Sequence, residues 1–317
     1  MQLRKLVTTI FMTVVAFAVS MPAFAETPGN LGQGQAIVTV LPSKNGNAPV
    51  NLPERNLRAE VNGKESSITG WTPLRGSNGD LEIVILIDSS ARSSIGLQFE
   101  DINEFIRDLP VNVKVAVGYL NAGRAVLTGP LSSDHTAAED GLRITSGVAG
   151  SNGSLYLCLS DIAKHWPSRD LQARREVILI SDGLDNYFPG LDTQNPYLNA
   201  SIRDSIRAGL VVYSIYMPNR GRAVNPRHRS FAGQSLLTKV TEATGGYSYW
   251  DGSDKNPVSF RPYLDDIAQR LQNQYRLRFQ SHLTGKPEIQ SMRLRVVDEK
   301  AEVIAPKRVR VSYPIAE

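Results

Sequence analysis

The sequence has one cysteine, Cys158, among its 317 residues. A single thiol excludes an internal disulfide framework and any multi-cysteine zinc or iron–sulfur centre. The four histidines, His135, His165, His228 and His282, are far apart. None pairs with another at helical metal-ligand spacing, so the HExxH type of metalloenzyme is excluded. There is no Walker A motif, no G-x-G-x-x-G after a strand and no G-x-S-x-G elbow, since Gly150-Ser151-Asn152-Gly153 has the wrong spacing. No run beyond the amino terminus approaches about 18 apolar residues, so the mature chain has no membrane span. A large excess of one charge is also missing. The net charge is +4, but Arg4 and Lys5 supply two of the 35 basic residues against none of the 31 acids. The remainder carries 33 against 31, a net of +2, and gives no argument for nucleic acid.

What is present begins with an export signal. Arg4 and Lys5 precede the apolar run Leu6–Val19, interrupted only by Thr8, Thr9 and Thr13. Pro22 and the A-x-A site Ala23-Phe24-Ala25 follow. This is the layout of a cleaved secretory signal peptide over residues 1–25, and it predicts a periplasmic or secreted protein. No cysteine follows the site, so lipid anchoring is not expected. A lone cysteine also suits an oxidising compartment, where it finds no partner.

Hydrophobic residues make up 41% and charged residues 21%, an ordinary globular balance. Residues 26–34 are polar and glycine-rich and read as a disordered start. Ala36–Leu41 and Leu57–Val61 read as strands, the second ending at the hairpin dipeptide Asn62-Gly63. From Leu81 the pattern changes. Leu81–Ile87 and Glu176–Ser181 are apolar, β-branched runs of the kind buried in a parallel sheet, and Leu210–Tyr216 is a third. Ile95, Phe99, Ile102, Ile106 and Leu109 fall on one helix face, as do Phe260, Leu264, Ile267 and Leu271. Helices are also predicted at about 133–144, 154–166, 199–208 and 236–244. After Tyr275 the period returns to two, with wet, basic faces in Tyr275–Phe279, Met292–Val297 and Val309–Tyr313. The reading is β (35–75), α/β (76–274), β (275–317). The middle is expected to be a doubly wound, mostly parallel sheet with helices on both faces. The two β ends are expected to form one small β-sandwich around it.

In an open parallel sheet a site lies beyond the carboxyl ends of the strands. Two strands end there in Asp88-Ser89-Ser90 and Ser181-Asp182-Gly183. Two acids with hydroxyls nearby are oxygen ligands of the type magnesium takes. The series Asp88-Ser89-Ser90-Ala91-Arg92, Gly153-Ser154-Leu155-Tyr156, Ile178–Gly183, Val211–Ile215, Leu237–Gly246, Gln274–Leu277 and Arg310–Tyr313 resembles the von Willebrand factor type A (vWA) domain family. It is similar in layout to secreted bacterial VWFA-related proteins, over nearly all of residues 35–315. The resemblance implies a metal-ion-dependent adhesion site, D-x-S-x-S plus a threonine and a further aspartate, with Mg2+ as the ion. Asp88, Ser90 and Asp182 match it. The second serine position holds Arg92, and the threonine position falls on Gly153 or, with a one-residue slip, on Ser154. The implied site is therefore degenerate. Either a metal is still held, or Arg92 and backbone donors hold the two acids as a buried ion pair.

Two further features stand on the same expected face. The loop Met217–Arg229 carries Arg220, Arg222, Arg227 and Arg229 and is either a solvated loop or a patch for anions. Tyr187 and Phe188 follow Asp182 and either pack their own loop or anchor a partner. Cys158 sits in an apolar helix and reads as inert core. The expected function is an exported, non-enzymatic protein-binding or adhesion module. Its partner is an unknown protein or an acidic surface ligand. The alternatives are a metal-dependent hydrolase using Asp88 and Asp182, or a purely structural envelope component.

Overall fold

The computed structural model describes residues 31–42, 51–75, 79–89, 91, 93–145, 154–185, 187–188, 195–218, 226–250, 252, 256–283, 288–297 and 301–313. The signal segment 1–25 lies outside them. Among the described residues, seven strands come from the two ends of the chain: β1 (Leu31–Pro42), β2 (Leu57–Val61), β3 (Lys64–Pro73), β10 (Gln274–His282), β11 (Glu288–Val296), β12 (Ala301–Ile304) and β13 (Arg308–Ser312). Between β3 and β10 the chain forms a second sheet from β4 (Leu81–Asp88), β5 (Lys114–Asn121), β6 (Arg124–Leu127), β7 (Arg174–Ser181), β8 (Leu210–Tyr216) and β9 (Ser248–Tyr249). Its helices are α1 (Phe99–Asp108), α2 (Thr136–Glu139), α3 (Leu155–Lys164), α4 (Pro196–Ala208), α5 (Pro226–Thr244) and α6 (Arg261–Gln272).

The architecture differs from the expected one. The terminal strands do not form a sandwich. They close on themselves in the ring β1-β10-β3-β2-β11-β13, a six-stranded antiparallel barrel, with β12 paired to the far end of β1. The second sheet, in the order β6-β5-β4-β7-β8-β9, is mixed, because β6 runs antiparallel to β5. A barrel joined to a mixed sheet replaces the doubly wound parallel sheet set in a sandwich. The physical reason lies in β1. Residues 31–39 pair with β10 on one side, while Gln33 and Gly34 pair with β13 on the other. Closure of this kind leaves no unpaired ladder in the ring, whereas a small sandwich would expose four edges.

The expected loose start at 26–34 is corrected in part, since Leu31–Gly34 belong to β1. Their glycines are needed where they stand. A Cβ at Gly34 would come within 2.4 Å of the Phe279 ring, and one at Gly32 within 2.6 Å of Val311 Cγ1. The barrel interior is filled there by side chains from β10 and β13. Its core also holds Val38, Val40, Leu57, Leu277 and Met292. Trp71 stacks on Tyr275 at 4.4 Å.

The mixed sheet is buried on both faces, as the continuous apolar runs of β4, β7 and β8 require. Ile102, Phe105 and Ile106 of α1 and Leu264 and Ile267 of α6 cover one face. Leu155 and Leu159 of α3, Leu198 of α4 and Leu237 and Val240 of α5 cover the other. Local signals set the helix ends: Ser154 caps α3, Asn195 and Pro196 open α4, and Gly209 closes it at φ 69°. Two readings shift. The helix expected over 133–144 is only the single turn α2. The expected loop Met217–Arg229 ends earlier, because Pro226 opens α5 and places Arg227 and Arg229 in its first turn.

The barrel and the sheet are joined by polar contacts near Arg174. Its guanidinium donates to Leu271 O at 2.8 Å, to Gln274 Oε1 at 2.6 Å and to Gly79 O at 3.1 Å. Gln274 in turn donates to the Tyr213 hydroxyl at 3.2 Å. Glu176, fully buried on β7, stands beside this group.

Candidate functional site

Strands β4, β7, β8 and β9 run parallel, so their carboxyl ends share one edge of the mixed sheet. Asp88 ends β4 and is buried there. The Ser181 hydroxyl, at the end of neighbouring β7, donates to Asp88 Oδ2 at 2.9 Å. The Ser89 hydroxyl donates to the Leu120 carbonyl of β5, and Thr145 Oγ1 donates to Ser89 O at 2.8 Å. Asp182 is half-buried, and its Oδ1 accepts from the Leu184 backbone N–H at 3.0 Å.

A third acid, not singled out from the sequence, completes this edge. Asp185 is buried. Its Oδ2 accepts from the Ser154 hydroxyl at 3.0 Å and its Oδ1 from the Tyr187 N–H at 2.9 Å. Ser154 also accepts from Leu157 N at 3.3 Å, so the same hydroxyl caps α3 and links its first turn to the loop after β7. Burial pushes the Asp185 carboxyl above the ordinary range, while the donors from Tyr187 and Ser154 pull against that shift. Tyr156, in the first turn of α3, is buried and donates to Gly183 O at 2.7 Å. Burial, reinforced by the charges of Asp185 and Asp182, keeps its hydroxyl protonated.

The loop after β7 is also fixed by backbone proximity. Gly183 has φ 75°, and a Cβ there would lie 2.3 Å from Gly233 O in α5. A Cβ on Gly233 would lie 1.9 Å from Asp182 O. Only two glycines allow the loop and helix backbones to come this close.

Of the residues singled out by sequence, Asp88, Ser154 and Asp182 come to this edge. Ser154 faces Asp185 there. Tyr187 follows and is 51% exposed, whereas Phe188 is half-buried. Ser90, Arg92, Arg220 and Arg222 lie outside the described residues, and of Arg227 and Arg229 only the backbone is described. Cys158 is buried in α3, and burial pushes its thiol up to about 12. Two exposed aromatics that the sequence reading passed over stand on the same edge. Phe231, in the second turn of α5, is 63% exposed, and Trp250, just past β9, is 38% exposed. Their rings meet edge to face at 5.7 Å.

Among the described residues, no three acids, histidines or cysteines are grouped to hold a metal ion. The hydroxyls of Ser181 and Ser154 point at carboxylates and that of Ser89 at a carbonyl. Among the described residues no helix is long and apolar enough to cross a membrane.

No protein-family model and no curated protein matches the sequence. Solved structures similar to it include an aerotolerance-related membrane protein from Bacteroides fragilis NCTC 9343, at 14% identity and TM-score 0.43, covering 60% of this chain and 98% of that one. BatB from Bacteroides thetaiotaomicron is similar at 16% identity and TM-score 0.41, covering 60% and 97%. Proximal thread matrix protein 1 of the mussel byssus, with a zinc-occupied MIDAS motif, is similar at 15% identity and TM-score 0.38, covering 65% and 48%. These likenesses assign no residue of this chain a role.

Proposed function

We propose that this chain is an exported, non-enzymatic protein-binding or adhesion module that meets its partner through the carboxyl edge of the mixed sheet. The observation that carries the reading is the exposed aromatic set Tyr187, Phe231 and Trp250 on that one edge. Large exposed aromatics on a rigid support are the usual anchors of an interface. The support here is rigid because Asp88, Asp182 and Asp185 are each held by hydroxyl or backbone donors. In this reading the edge is a degenerate metal-ion-dependent adhesion site, and a relationship to the vWA family is part of the proposal. Where the family pattern has its second serine this sequence has Arg92, a permanent cation with no acceptor, and the proposal is that its charge replaces that of an ion. The amino-terminal segment directs export and is removed. Capture from an envelope extract tests the reading. Wild-type protein should retain a partner that Phe231→Ala/Trp250→Ala protein does not. Turnover of generic hydrolase substrates, dependent on Asp182, would favour the hydrolase alternative.

A further inference from the structure

At the opposite, amino-terminal edge of the mixed sheet a groove of about 750 Å3 runs between that sheet and the outside of the barrel. Its barrel wall follows from strand alternation. On β10, Tyr275, Leu277 and Phe279 face the barrel core, so Arg276 and Arg278 face out. On β13, Val309 and Val311 face in, so Arg308 and Arg310 face out. β1 lies between them and turns out Gln33 and Gln35, with Gln33 opposite Gln280 on one side and Ser312 on the other. Arg174, Arg175 and Arg207 close the far wall. None of the residues lining the groove is acidic.

Some of this charge holds the fold together. Arg174 ties β7 to β10 and α6, Arg276 donates to Gln172 O at 2.6 Å, and Arg207 faces Asp204. Arg278, Arg308 and Arg310 do not join in. No hydrogen bond or ion pair to a described residue engages them, and Arg278 and Arg310 are exposed. Like charges so concentrated cost stability. Burial, and then the charge of Arg278, pulls the Arg276 guanidinium below its ordinary value.

We propose that this groove binds an extended acidic peptide, with carboxylates on alternate residues lying across Arg308 and Arg310 and a further one at Arg278. The spacing favours a peptide. Outward arginines two apart on a strand repeat at about 6.6–6.8 Å, and an extended peptide repeats its same-side carboxylates at that same pitch. Each guanidinium can take a carboxylate through two N–H donors. Gln33 and Gln35, between the two arginine rows, offer both a donor and an acceptor to a peptide backbone, which arginines alone cannot. The groove is at the other end of the sheet from Tyr187, Phe231 and Trp250, so it is a second site.

The test is fluorescence anisotropy with the mature protein and a labelled eight-residue peptide of alternating glutamate and threonine. The control peptides replace each glutamate by glutamine, or gather the four glutamates at one end. The alternating peptide should bind best, and its affinity should fall steeply with salt. Arg278→Ala/Arg310→Ala should weaken it tenfold or more, while Arg278→Lys/Arg310→Lys should recover only part, since lysine keeps charge without the fork. Equal binding of the alternating and glutamine peptides would overturn the proposal, as would full binding by the alanine variant. Stronger binding of a sulfated oligosaccharide or of anionic vesicles than of the alternating peptide would also overturn it.

Discussion

Replacing Glu176 by glutamine should make the protein more stable, and by an amount that depends on pH. Glu176 is fully buried between the mixed sheet and the barrel. Neither carboxyl oxygen has a partner at hydrogen-bonding geometry, although the Gln274 amide lies near. Burial pushes its carboxyl up to about 8, against an ordinary 4.5, and the nearby Arg174 charge only partly offsets this. Below the unfolded value the group is protonated in both states. Between 4.5 and 8 the unfolded chain releases the proton and the folded chain keeps it, so stability falls as pH rises through that window. The full loss is on the order of 5 kcal/mol, of which about 3 kcal/mol has accrued at pH 7. Glutamine has the same shape and never ionises. Urea unfolding of both proteins at about pH 5, 7 and 8.5 reads the difference directly. Glu176→Gln should gain little at the lowest pH and several kcal/mol at the highest. Other titrating groups cancel in the comparison. Parallel stability curves across that range would refute a carboxyl held neutral by burial, and would mean that Arg174 keeps it ionised.

Ser154→Ala removes both the α3 cap and a donor to buried Asp185. A loss of about 2–3 kcal/mol is expected in chemical denaturation, with most of the loss recovered in Ser154→Thr. Magnesium should stabilise the wild-type protein little in thermal melts, because in the proposed reading the Arg92 charge takes the place of the ion. A working site at ~100 times Kd would add about 2.7 kcal/mol. Arg92→Ser should lower stability without the ion and create a magnesium-dependent gain. Clear wild-type binding by calorimetry, abolished in Asp182→Ala, would contradict the substitution of arginine for metal.

Strands β4, β7 and β8 were legible because a strand buried on both faces has to be apolar throughout. The tail strands were legible from their period of two, down to the outward arginines of β10 and β13. Barrel closure was not, because it depends on which strands β1 meets on its two sides, and alternation says nothing about partners. Gly32 and Gly34 misled the reading. Glycine in a short polar stretch looks like a loose start, yet here it admits Phe279 and Val311. At the edge, Asp88 and Asp182 stood out as acids at strand ends. Asp185 did not, because its meaning comes from Ser154, which is distant in sequence and near only in the fold. Phe231 and Trp250 were hidden for the same reason. One lies in a helix whose start was read as loop, the other beyond a two-residue strand.

The claim that the carboxyl edge of the mixed sheet is the recognition face is tested most directly by quantitative capture from an envelope extract. Immobilised wild-type, Phe231→Ala/Trp250→Ala and Val111→Ser proteins are compared, each first shown to melt as the wild type does. Val111 is 87% exposed and precedes β5, at the opposite edge. The account predicts that wild-type and Val111→Ser proteins retain the same partner in similar amounts and that the aromatic double variant loses at least nine-tenths of it. Undiminished capture by the double variant would contradict the account.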